Sequence, residues 1–143
     1  MKRFDFKLEK VLGHRGVREE QKKRLFAEAQ RAIAMQREQI RIIEGEIHKQ
    51  MAELRTRCVE NVDVRDVVAR RLYMSYLQSA AALANETLES LRGRLEVRRK
   101  ELVQASKEKK VLERVRGKRF REHVYEMDRE EQRFIDELGV FKR

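Results

Sequence analysis

The sequence predicts an all-α protein: two long helices forming an antiparallel coiled-coil hairpin. Three observations carry this. From Phe26 to Cys58, the residues Phe26, Ala29, Ile33, Gln36, Ile40, Ile43, Ile47, Met51, Leu54 and Cys58 step by threes and fours. At 3.6 residues per turn that spacing draws a single narrow stripe, too thin to face a globular core but suited to a partner helix. A second seam of the same spacing runs through Tyr73, Leu77, Ala80, Ala84, Leu88, Leu91, Leu95, Arg98, Leu102, Ala105, Lys109 and Leu112. Finally, 42% of the 143 residues are charged and none is proline, a composition typical of long helices.

The chain therefore reads as one elongated domain, 1–143, with a first helix over about 3–59, a turn over about 60–65 and a second helix over about 66–138. Near the start, Phe4, Leu8 and Val11 share a helical face that Arg15 continues. Gly13 and Gly16 each cost about 1 kcal/mol relative to Ala in a helix interior, so a bend or fraying is expected there. Between Val59 and Asp66 the periodicity fails. Asp63 with Asp66 resembles a pair of carboxylates accepting from the free N–H groups that open a helix.

A turn centred near residue 61 or 62 makes facing residues sum to about 123, as antiparallel helix pairs require. That sets Ile40 and Ile43 opposite the region of Ala80 to Ala84, and Phe4 near Arg119. Residues after Phe120 then lack a first-helix partner. This overhang still carries an apolar stripe: Phe120, Val124, Met127, Phe134, Leu138 and Phe141 step by threes and fours, with Glu131 among them. Either the N-terminal Phe4, Leu8 and Val11 cover part of it or another protein does.

Charge is segregated along the second helix. Arg92 to Glu122 holds thirteen Lys or Arg against five Glu, and Glu126 to Glu137 six acidic residues against two Arg. With a net charge of +10 and a pI near 10.0, the chain suits an acidic partner of any kind, whether nucleic acid, membrane face or protein. The single Cys58 lies on the seam, where it packs as a small hydrophobe, and a reducing, cytoplasmic compartment is expected. No signal-like or membrane-spanning stretch is expected.

No catalytic constellation is legible. His14, His48 and His123 are far apart, no metal-ligand spacing exists, and no Gly-rich phosphate loop or nucleophile elbow is present. The expectation is no enzyme, no cofactor, no metal and no small-molecule substrate. For nucleic acid, the basic block lacks interleaved aromatics and a groove-reading motif.

At its two ends the chain resembles the FliJ family of the flagellar type III export apparatus. Phe4-x-Phe6-x-Leu8-x-x-Val11-Leu12-x-x-Arg15 looks like that family's N-terminal signature, and Arg129-x-Glu131-Gln132-x-x-x-Asp136-Glu137 like its C-terminal one. The resemblance implies a fold similar to the rotor stalk of rotary ATPases and a non-enzymatic, soluble role as a central stalk. It implies three partners: the hexameric flagellar export ATPase, a membrane export-gate protein and export chaperones. The implied location is the cytoplasm, peripherally at the inner membrane of the flagellar base.

On this resemblance ATPase binding falls on Phe4, Phe6, Leu8, Val11, Leu12, Arg15, Arg129, Glu131, Gln132, Asp136 and Glu137, to which the neighbouring stripe adds Phe134 and Leu138. The gate-contacting surface carries over to Gln36, Ile40, Ile43, Ile47, Tyr73, Leu77, Ala80 and Ala84. All of these are also seam positions; Tyr73 and Tyr76 are the better recognition residues because each has an apolar body and a polar tip. Three alternatives stay open: the equivalent stalk of a virulence-type secretion system, a basic nucleic-acid-binding coiled coil, and a rod that dimerises through the Phe120 to Phe141 stripe.

Overall fold

The computed structural model describes residues 3–57 and 63–140. They form two long helices packed against each other, α1 (Glu9–Arg57) and α2 (Val64–Val140), with no strand among the described residues. The fold class is the all-α helical hairpin that the two seams predict. Cys58, the turn at its centre and Phe141 lie outside the described residues. The contacts divide the chain into two compact units, Arg24–Lys100 and Met1–Lys23 with Glu101–Arg143.

In the unit Arg24–Lys100 the seam is apolar. Ile33, Ile40 and Leu88 are buried together, with Ala84, Leu91 and Leu95 packed against them, and Leu77 is also buried. Gln36 keeps its seam position by donating its side-chain amide to the Ala84 carbonyl at 2.9 Å, so a polar group inside the seam is satisfied. Nearer the turn the guanidinium of Arg70 reaches across to Glu53 at 2.5 Å and Gln50 at 3.1 Å.

Several expectations are corrected here. Tyr73 is 43% exposed and Met51 38%, so neither closes the seam. The inward steps near the turn are instead Val67, Arg70, Met74 and Leu77, a face one residue round from Tyr73. The Arg70 bridge holds this face toward α1. The carboxylate of Asp63 accepts from the N–H of Arg65 at 3.0 Å and its carbonyl from Val67 at 3.1 Å, so Asp63 caps α2. The carboxylate of Asp66 is taken by Arg57 at 3.0 Å and Arg70 at 3.3 Å.

In the unit containing the termini the same two helices meet through charge. Glu19 is buried and accepts from Lys109 and from the Ser106 hydroxyl, both at 2.9 Å. Arg15 pairs with Glu108, Lys22 with Glu101 at 3.1 Å, and Arg116 with Glu9 at 3.1 Å. Arg15–Glu108 and Lys22–Glu101 keep the register in which partners sum to 123. Ala105 is the most buried residue here, small enough to let the helices approach while long polar side chains close the space beside it.

The helix α1 runs unbroken through Gly13 and Gly16, neither of which has a positive φ, so the expected interruption is absent. It begins later than the apolar spacing suggests. Phe4, Phe6 and Leu8 all precede it, so Phe4 and Leu8 do not share a helical face with Val11. The ring of Phe4 meets Phe120 edge-on at 5.3 Å and lies 5.6 Å from His123, while Phe6 is buried. Outside the helix the Phe4 ring packs on Phe120 and His123 and Phe6 is buried, so aromatic burial offsets the helical hydrogen bonds given up here. The N–H of Glu9 bonds the Phe6 carbonyl at 2.8 Å, closing the turn into α1.

Candidate functional site

The terminal end of the chain presents one candidate surface, built within the unit that joins both termini. Phe4 is half-buried and Phe6 buried, so these aromatics chiefly hold the N-terminal segment on α2. With Leu8, Arg119, His123 and Glu126 they line a groove of about 500 Å³. Leu12 is half-buried, Arg15 is engaged with Glu108, and Leu8 and Val11 remain largely exposed.

Cover of α2 extends past Phe120 to His123, further than the hairpin register alone gives, because of Phe4, and Met127 one turn on is half-buried. Beyond it, every residue from Asp128 to Gly139 is exposed. On this last stretch Phe134 is 62% exposed and Leu138 53%, with Ile135 beside them. The spacing of fours and threes that found Phe134 and Leu138 passes over Ile135, which widens the stripe. On this stretch Glu131 shares the face of the stripe, whereas helical geometry sets Arg129 and Asp136 on the opposite face, where Gln132 donates to Asp136 at 3.0 Å one turn on.

A second candidate surface lies within the unit Arg24–Lys100. Of the residues carried over from the gate-contacting resemblance, Ile40 and Leu77 are buried, and Gln36, Ile43, Ile47, Ala80 and Ala84 are half-buried. Tyr73 stands outside the seam, stacked on Tyr76 with ring centroids 6.5 Å apart and planes 17° off parallel. Val64, Val68, Leu72, Tyr76 and Leu83 are all exposed on α2. Their steps of four and seven place them along one face, on which Val68 and Leu72 line a groove with Leu54 of α1. The sequence reading missed this ridge because it followed one seam per helix, although the fourfold spacing of Val64, Val68, Leu72 and Tyr76 was there to be seen.

Electrostatics sharpen the seam more than either exposed face. The hydrogen bond from Lys109, then that from Ser106, holds the Glu19 carboxyl below its ordinary value of 4.5 despite the cost of burial, and Glu19 in turn raises Lys109. Arg70 likewise depresses Glu53, chiefly by hydrogen bonding. These shifts mark structural pairing across the hairpin. Among the described residues no group of His, Cys, Asp and Glu could hold a metal ion, and no helix is long and apolar enough to cross a membrane.

These features define the class: a two-helix hairpin with seams closed by aliphatic packing and ion pairs, and with apolar helix faces left uncovered. The family model described as Flagellar FliJ protein matches residues 4–142, and the chain belongs to that family. It is thereby a protein of flagellar type III export, in a family of non-catalytic export components. Searches of curated proteins and of solved structures returned no match.

Proposed function

We propose that this protein is a non-enzymatic stalk for the hexameric flagellar export ATPase, gripped at its terminal end, and that it links the ATPase to the membrane export gate and to export chaperones. The observation that carries this reading is the exposed apolar stripe Phe134, Ile135 and Leu138 on a part of α2 that no other element among the described residues covers. A helix that leaves such a stripe in water is built to lay it against another protein. Glu131, on the same face, and the other exposed charges of this stretch supply orientation and discrimination between partners.

The N-terminal residues contribute in two ways. Phe4 and Phe6 brace the segment against α2, and Leu8 and Val11 offer exposed apolar surface nearby. On this reading the stalk acts on the ATPase by differential binding: it favours the ring states that hold the terminal end more tightly, and only by that difference in affinity. Gate contact falls to the exposed face around Tyr73 and Tyr76, since the aliphatic seam residues are engaged within the hairpin. Such a protein works in the cytoplasm, peripherally at the inner membrane.

The test is capture of the cognate export ATPase by the full chain and by a chain ending at Asp128, with turnover measured for each. That truncation spares Phe120 and His123 and therefore the seat of Phe4. The full chain is expected to bind and change turnover, and the shortened one to do neither. Equal binding by both would remove the stripe from the interface.

A further inference from the structure

Within the unit that joins the termini, α2 carries a row of cations that neither the hairpin nor the proposed ATPase contact uses. Lys107, Lys110, Arg114, Lys118 and Arg121 are all exposed. Steps of three and four place them on one helix face, over about 21 Å at 1.5 Å rise per residue. That face is turned from α1, because the residues of this stretch that meet α1 include Lys109, paired with Glu19, and the buried Ala105. Among the described residues Lys107, Lys110, Arg114 and Arg121 have no ion-pair partner, and Lys118 only reaches Glu122 at 3.9 Å. The cations of this unit that pair across the hairpin, among them Arg15, Lys22, Lys109 and Arg116, lie outside this row. The free row is thus a separate feature and not a by-product of helix pairing.

We infer that this row docks the protein on a bilayer surface of acidic phospholipid. Four to eight basic residues on one face of a helix create the attraction that anionic headgroups satisfy. Two observations favour a lipid surface over duplex nucleic acid. The cations form a straight line along one helix, which a plane meets along its whole length, whereas the phosphates of a duplex wind away from it. Exposed Val103, Val111 and Tyr125 lie on the same face. Valine side chains have nothing to gain from phosphates, but they and a ring with a polar tip fit the boundary between headgroups and acyl chains. The inference does not rest on the ATPase reading, and its test uses no ATPase.

The experiment is flotation of the full chain with phosphatidylglycerol-containing vesicles and with pure phosphatidylcholine vesicles, over a range of salt. Binding is expected only to the acidic vesicles and is expected to weaken as salt rises. Each cation near the surface is worth roughly fivefold in affinity. Lys110→Glu with Arg114→Glu should therefore cost roughly thirtyfold or more at unchanged helicity, while Lys110→Arg with Arg114→Lys should keep binding. If the charge reversal disturbs the fold, Lys107→Gln with Lys118→Gln should show a loss of roughly twenty-five-fold. Equal binding to both vesicle types, or no loss in the charge variants, would overturn the inference. So would duplex DNA that strips the protein from acidic vesicles at matched phosphate concentration, which would make the row a nucleic-acid interface.

Discussion

Glu19 is the residue at which the unit containing the termini is most sensitive to protonation. Its carboxylate is buried yet satisfied on both oxygens, by Lys109 and by Ser106. Because its pKa is depressed in the fold, the ionised form contributes stability that is fully present above the ordinary value of 4.5 and is lost as pH falls through the lower folded value. Thermal melts of the wild type should therefore decline in acid below about pH 4.5. Glu19→Gln keeps the shape and one acceptor but removes the charge opposite Lys109. It is expected to lower Tm by a few degrees at pH 7. The gap to wild type should close as the pH is taken below 4. A gap that stays constant over that range would mean the ion pair adds nothing beyond packing. Replacing Glu19 by leucine is a different experiment, because it leaves Lys109 without its partner across the seam.

At the scale of the helix, α1 owes its continuity to packing more than to propensity. Gly13, Gly16 and Gly45 all lie inside it with ordinary negative φ, and a Cβ added at any of the three would meet nothing within 4 Å. Gly45→Ala is accordingly expected to stabilise the protein by about 0.5–1 kcal/mol, since alanine loses less backbone freedom on folding and clashes with nothing. A denaturant midpoint that stays put or falls would contradict it.

The same helices show what is legible in sequence. Ile33, Ile40, Leu77, Leu88 and Ala105 were readable because a helix pair imposes its period on every buried position. Tyr73 was misread because one residue of rotation near the turn separates it from Met74, and the Arg70 bridge that sets the rotation joins residues distant in sequence. Phe4 was misread because spacing alone does not reveal that the segment leaves the helix and seats its ring on Phe120 and His123. Of the candidate contact residues, the terminal stripe could be read from its spacing. The exposed ridge from Val64 to Leu83 was missed because a search for one seam stops once the seam is found.

For the whole molecule, the question is which apolar surface belongs to folding and which to partners, and exposure separates them. Ile33 and Leu88 are nearly inaccessible and pack against one another, so charge placed there would open the hairpin. Phe134 and Leu138 are more than half exposed on a stretch that nothing among the described residues covers, so charge placed there has little to disrupt. The double variant Phe134→Glu, Leu138→Glu should hence leave helicity unchanged and stability within about 0.5 kcal/mol of wild type. If these side chains anchor the export ATPase, the same variant should lose affinity by roughly thirtyfold or more, the scale of removing a central interface anchor. Circular dichroism and ATPase titration on one sample decide the matter. Retained helicity with lost binding assigns the stripe to a partner. Collapse of helicity would assign it to the hairpin's own packing, and retained binding would move the ATPase contact elsewhere on the chain.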